Sequence, residues 1–186
     1  MNYLDIYNLE TYLFETVRNR FYEQGYLSAF DFFCIVIWKS NRAKSLAAKR
    51  LLSKGYDDLD AAVYALTAGL SKLVAAKDRL QYLWDWGQWE LRLPTASAIL
   101  SVLYPDEFTV YDTRVCGVLG GFRNLGDISN FEKLWPKYLE FKEAVEQSAP
   151  TALSLRDKYR YLWGKSFSAQ LVMDIQQGFP KTSTDD

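Results

Sequence analysis

The stretch LRLPTASAILSVLYPDEFTVYDTRV, running from Leu91 to Val115, decides the fold. Leu93-Pro94-Thr95 opens a helix, because proline is tolerated in a first turn where its missing N–H would have no partner. Ala96, Ile99, Leu100 and Leu103 then recur at i, i+3, i+4 and i+7, the spacing of one buried face. Tyr104-Pro105-Asp106 stops that helix, since the residue before a proline is pushed out of the α region. Phe108 to Tyr111 is aromatic and β-branched, which predicts an extended run. Asp112-Thr113 reads as the N-cap of a following helix. One carboxylate at the end of an apolar run therefore has two readings. Asp112 caps a helix and does nothing else, or it is a functional carboxylate.

The second reading comes from a resemblance. Thr95-Ala96-Ser97-Ala98-Ile99-Leu100 resembles the TA-x-x-x-L helix of the helix-hairpin-helix DNA glycosylase superfamily, the group that includes endonuclease III and the adenine and 8-oxoguanine glycosylases. Tyr111-Asp112-Thr113-Arg114-Val115 resembles that family's V-D-T-H-V motif. Pro94 and Asp112 are 18 positions apart, as in endonuclease III-like members. The resemblance implies that Asp112 is the catalytic aspartate. The chain departs from the family twice. Glu90, Leu91 and Arg92 stand where the hairpin's glycines let backbone amides approach a DNA phosphate. Pro94, which has no amine, stands where bifunctional members carry a Schiff-base lysine. Activity is therefore expected to be monofunctional unless a lysine from elsewhere, such as Lys72 or Lys77, reaches the sugar.

Composition narrows the chemistry. The chain has 186 residues, 49% hydrophobic and 16% aromatic, enough for a sizeable core in one domain or two small lobes. Lys and Arg number 22 against 23 Asp and Glu, so any nucleic-acid face must arise from charge distribution rather than from a net basic balance. The absence of histidine excludes Ser/His/Asp and Cys/His catalysis, histidine metal sites and the zinc deaminase signature. Cys34 and Cys116 cannot build a four-cysteine iron–sulfur cluster and read as two buried free thiols. No metal and no cofactor are expected. No apolar run is long enough for a transmembrane helix and the N-terminus does not resemble a signal peptide, so a cytoplasmic chain with no membrane partner is expected.

Outward from the central stretch, the pattern is helical throughout. A first amphipathic helix is predicted over residues 3–24, ended by Gly25, and a buried helix over Leu27–Trp38, with Asp31 near its positive end. Residues 39–54 hold Lys39, Arg42, Lys44, Lys49, Arg50 and Lys54 and no acid, which reads as a solvated face or a basic patch. Asp57, Asp58 and Asp60 cap the next helix, which is predicted to stop at Gly69. Ser71 is a plausible cap for its successor, with Lys72, Lys77 and Arg79 on its polar side. Trp84, Trp86 and Trp89 are core residues or a stacking wall. After Asp112 come a short helix to Leu119, a glycine-containing loop, a helix over 129–147 that Pro136 either kinks or divides into two pieces, a helix over 154–163 broken by Gly164, and a last helix over 167–177. Residues 181–186 read as a disordered tail.

The expected architecture is an all-α protein of about ten helices with the two-lobed fold of the glycosylase family. Residues 27–112 would form one lobe, residues 1–26 with 113–180 the second, and Asp112 would lie in the cleft between them. The resemblance implies a monomer that cleaves the N-glycosidic bond of a damaged or modified base extruded from double-stranded DNA, as in base-excision repair. Asn41 falls where several members have a glutamine that fills the gap left by the extruded base. Lys39, Arg42, Lys44, Arg92, Leu93, Thr95 and Arg114 complete the expected DNA contacts, and Trp38, Trp86 and Trp89 the base pocket. A non-catalytic nucleic-acid-binding protein on the same scaffold, and a helical protein-interaction module, are the alternatives.

Overall fold

The computed structural model describes residues 3–86 and 92–179, and among these the chain is all α, with no strand. The helices are α1 (Tyr3–Tyr7), α2 (Leu9–Thr11), α3 (Arg18–Gln24), α4 (Ala29–Lys39), α5 (Lys44–Leu52), α6 (Leu59–Leu70), α7 (Ala76–Trp86), α8 (Leu93–Leu103), α9 (Thr113–Leu119), α10 (Phe131–Gln147) and α11 (Leu155–Gln176). The hairpin residues Glu90 and Leu91 and the predicted tail at 181–186 lie outside the described residues.

Helix α8 is the centre. Leu93 and every residue from Ala96 to Leu103 are buried, so the single apolar face expected from the periodicity is in fact a helix enclosed all round. Two serines make this possible. Ser97 Oγ donates to the Pro94 carbonyl and accepts from the Tyr111 N–H at 2.9 Å, and Ser101 Oγ donates to the Ala98 carbonyl. Their polar atoms are thus satisfied without water. Helix α4 and helix α7 pack on α8, and α6 packs on α4, α5 and α7.

The run Phe108–Tyr111 is buried and pairs with no strand. Phe108 N–H bonds back to the Tyr104 carbonyl, and backbone groups of Thr109 and Tyr111 bond to side chains. Tyr138 Oη on α10 accepts from Thr109 N–H at 3.1 Å and donates to the Thr109 carbonyl at 2.7 Å. Tyr111 N–H goes to Ser97, and Tyr111 Oη donates to the carbonyls of Phe122 and Arg123. The segment delivering Asp112 is therefore pinned from α8, α10 and the loop after α9.

Several expectations need correction. The first helical stretch ends at Gln24, where Gly25 takes a left-handed φ of 76°, but it is interrupted at Asn8 between α1 and α2 and widens into a π-helical turn over Tyr12–Val17. Helix α4 starts at Ala29, because Leu27 N–H is taken by Thr67 Oγ1 and Ser28 supplies the cap. Gly69 does not end α6. It lies inside that helix because a Cβ there would meet Tyr82 Oη of α7 at 2.0 Å, so glycine is needed for the two helices to approach. Ser71 follows the C-terminus of α6 and donates to the Ala68 carbonyl; it does not cap α7. Arg79 is not on a solvated side. Its guanidinium lies 3.8 Å from the Tyr104 ring centroid and pairs with Glu107. Pro136 is solvent-exposed within a single helix, and Gly164 does not break α11, which runs unbroken for 22 residues. A glycine costs only about 1 kcal/mol relative to alanine in a helix interior, which a long cooperative helix absorbs. Both cysteines are free, Cys116 buried and Cys34 partly so.

Candidate functional site at Asp112

Asp112 is the N-cap of α9, and its Oδ1 accepts from Arg114 N–H at 2.9 Å. The cap fixes the carboxylate at the point where the pinned run meets the helix. Its other oxygen, Oδ2, accepts from Lys39 Nζ at the C-terminal end of α4. The pair is nearly enclosed, with 12% of the Lys39 side chain and 14% of Asp112 exposed. What remains open faces a cavity of about 650 Å³, within the usual size range of small-molecule sites.

Besides Asp112 and Leu153, which precedes α11, three helices wall this cavity. Helix α4 contributes Trp38 and Lys39, α2 contributes Glu10, and α11 contributes Asp157, Tyr159, Arg160, Tyr161 and Trp163. Helix α11 reaches the site because it packs along α9, directly after Asp112. Trp38 is held edge-on against Phe14, and Trp163 is stacked on Phe167 at a 5.5 Å centroid distance. Aromatic faces, Lys39 and the carboxylates of Glu10 and Asp157 thus line the same cavity as Asp112.

The charges are partly neutralised among themselves. Glu10 Oε1 accepts from Arg156 Nη2 at 3.0 Å and from Arg160 Nε at 3.1 Å. The Arg156 guanidinium also lies 3.8 Å from the Phe14 ring centroid, a cation–π contact that fixes its head. Hydrogen bonds from Ser154 and then Arg160 hold the Asp157 carboxyl below its usual range. Burial first, and then the negative charges of Asp112 and Glu10, push the Tyr159 phenol far upward, so it keeps its proton and remains a donor. Among the described residues no group of three His, Cys, Asp or Glu side chains is placed to hold a metal ion.

The residues singled out from the sequence separate into two sets. Asp112, Trp38 and Lys39 come together at the cavity. Arg114 stands next to it, its guanidinium 5.6 Å from the Trp163 ring centroid. Asn41, Arg42 and Lys44 are exposed on the turn after α4, where Lys44 Nζ donates to Asn41 Oδ1 at 2.8 Å, and none of them lines the cavity. Arg92 is exposed at the start of α8, and Thr95 is partly buried, with its N–H bonded to the Arg92 carbonyl. Leu93, expected among the DNA contacts, has its side chain fully buried in the core. Trp86, expected in the base pocket, instead stacks on Tyr56 at 5.9 Å with Lys54 over its ring, and does not line the cavity. Trp89 lies outside the described residues.

The sequence reading missed Glu10 and the whole contribution of α11. A signal was present, since Arg156, Tyr159, Arg160 and Trp163 recur at i, i+3, i+4 and i+7 and so share one helical face. That face pairs arginines with aromatics, which a purely apolar periodicity does not separate from core packing. Comparison with protein-family models, with curated proteins and with solved structures finds no match for the chain.

Proposed function

We propose that this chain is a DNA glycosylase-like protein, a divergent relative of the helix-hairpin-helix superfamily, that acts as a cytoplasmic monomer on a base extruded from duplex DNA. The observation that carries this reading is Asp112. It is held by a helix cap and opens into an aromatic-walled cavity of about 650 Å³. Cleavage of an N-glycosidic bond builds positive charge on the sugar, as in other glycoside hydrolyses. A fixed carboxylate beside C1′ stabilises that charge, and preorganised electrostatics of this kind is worth about 3–4 kcal/mol. Trp38, Tyr159 and Trp163 supply aromatic surface of the kind that holds flipped bases. The chain is expected to carry this chemistry without metal or cofactor, on Asp112 itself. Pro94 offers no amine, so a Schiff base at that position is closed and base release through Asp112 alone leaves an intact abasic site.

A second reading has an observation of its own. Both oxygens of Asp112 are engaged, one by Arg114 N–H and one by Lys39, so the carboxylate also serves as a tie between α4 and α9. A binding protein on a glycosylase scaffold needs no more than that. Asp112→Asn separates the two readings, because asparagine caps as well as aspartate. On the glycosylase reading, single-turnover base release across a panel of modified bases drops by about 100-fold or more while duplex affinity is kept. Release that persists in the variant removes Asp112 from the chemistry.

A further inference from the structure

One polar group beside the cavity has no partner in the fold. Thr109 is 1% exposed. Its N–H and carbonyl are both bonded to Tyr138 Oη, at 3.1 and 2.7 Å, so its backbone is pinned. Its hydroxyl has no hydrogen-bond partner among the described residues. Buried hydroxyls are nearly always paired, because an unpaired one loses its bonds to water without replacement. A second buried donor is in the same position. Arg156 Nε–H has no acceptor among the described residues, although Nη2 of the same guanidinium donates to Glu10 and the head lies on the Phe14 ring. Both residues line one recess of about 10 Å³, together with Phe14, Phe108 and Val110. The recess shares Glu10, Trp38, Tyr159 and Arg160 with the wall of the larger cavity, so the two adjoin. Its volume is room for about one water-sized atom.

We propose that this recess is a specificity-determining subsite that takes one carbonyl oxygen of the ligand, with Thr109 Oγ1 and Arg156 Nε as its donors. The chemical class follows from the hydrogens. A guanidinium has no acceptor, so Nε can only donate. A hydroxyl donates or accepts, and beside a second donor both are satisfied by one atom with two lone pairs. A carbonyl oxygen is that atom. An amino group would set its hydrogens against Nε–H, and a methyl group would leave both donors unpaired. The positive charge of Arg156 acts in the same direction. Other polar groups at the recess are engaged: Glu10 Oε1 accepts from Arg156 and Arg160, and the Ser101 proton goes to the Ala98 carbonyl. Tyr159, whose phenol keeps its proton, lines the recess as well and adds a third donor. The inference rests on the reading of the cavity as a nucleobase site and deepens it. The bases admitted are keto bases, such as hypoxanthine or uracil, and those refused are their amino counterparts, adenine and cytosine.

The test measures affinity, so it needs no turnover. Full-length Asp112→Asn protein is titrated with four duplexes that carry hypoxanthine, adenine, uracil or cytosine, each opposite a tetrahydrofuran abasic analogue so that no base is held by a pairing partner. At least one keto base is expected to bind about 100-fold more tightly than its amino counterpart, from two hydrogen bonds of about tenfold each. Adding Thr109→Val should cut that preference about tenfold. It should leave the unfolding temperature equal or higher, because valine keeps the shape and removes an unpaired hydroxyl. Thr109→Ser should keep most of the preference. The four free bases, titrated by calorimetry, read the recess without any DNA. Duplex binding with no keto preference overturns the inference and leaves the glycosylase reading standing. So does a preference that Thr109→Val leaves intact while lowering the unfolding temperature, since the hydroxyl then belongs to the fold. A free-base preference abolished by Thr109→Val, without duplex binding, upholds the subsite and overturns the nucleic-acid reading. Absence of both overturns both.

Discussion

Two carboxylates in this protein are paired with a cation and hidden from bulk solvent, and they differ in what else they touch. Asp31, 3% exposed, accepts from Tyr12 Oη at 2.5 Å and from Arg20 Nη1 at 3.2 Å, inside the joint between the first helical stretch and α4. Asp112 is held by a backbone N–H and by Lys39, and faces a cavity. At Asp31 both carboxylate oxygens are taken up by side-chain hydrogen bonds from Tyr12 and Arg20. Around Asp112 the ion pair is open on one side. The same chemistry therefore ties helices together in both places, but only at Asp112 does the pair also line a cavity. The π-helical turn at Tyr12–Val17 belongs to the closed site, since it places Tyr12 against Asp31.

Cutting each carboxylate has unequal consequences for stability. Asp31→Ala leaves the Tyr12 hydroxyl without its acceptor and Arg20 without its counter-charge. Because the Arg20 head is about half exposed, the loss is expected to be about 2–3 kcal/mol rather than that of a fully buried pair. Asp112→Asn keeps the cap and lets cavity water solvate Lys39, so the expected cost is about 1 kcal/mol or less. Denaturant unfolding of the two variants side by side measures this, and equal losses would erase the distinction between closed and open site.

A finer measurement uses pH. Burial, and then the hydrogen bond to Asp31, push the Tyr12 phenol up to about 12. The folded state therefore holds a proton that the unfolded chain releases near pH 10, at about the ordinary tyrosine value. That contribution to stability is complete below pH 10 and is lost as the pH rises through about 12. Tyr111 is raised to about 12 as well, so wild type alone does not isolate the effect. The difference between wild type and Tyr12→Phe does: it should be steady up to pH 10 and shrink above it. A difference that stays constant to pH 12 would mean that Tyr12 titrates normally. The smallest expected effect separates the tryptophans. Trp38→Ala should weaken binding of abasic or modified duplex, whereas Trp86→Ala should cost about 0.5–1.5 kcal/mol of stability through its stack on Tyr56 and leave binding unchanged.

Much of the fold could be read locally. The proline at the start of α8, the Tyr104-Pro105 stop, the cap at Asp112, the end of α9 at Leu119 and the left-handed Gly25 each depend on a few neighbouring residues. Their conformational preferences act within one turn of chain. Local signals misled where they were weak compared with packing. Gly164 suggested a break, and Gly69 a helix end, yet one sits in a long cooperative helix and the other makes room for Tyr82. Ser97 read as part of a helix motif, and only the folded chain shows that its hydroxyl holds Tyr111 N–H.

The sequence by itself determined an all-helical chain, the place of Asp112 at a helix start, and, through the absence of histidine, a site whose charged chemistry rests on carboxylates, amines and guanidinia. The tertiary structure alone decided that Lys39 meets Asp112 across 73 positions, that α11 walls the cavity, and that Asp31 is closed off while Asp112 is open. Helix starts and stops follow from backbone preferences over a few residues. Which distant side chains share a cavity follows from how whole helices pack to bury their apolar surface, and no pattern of neighbours along the chain encodes that.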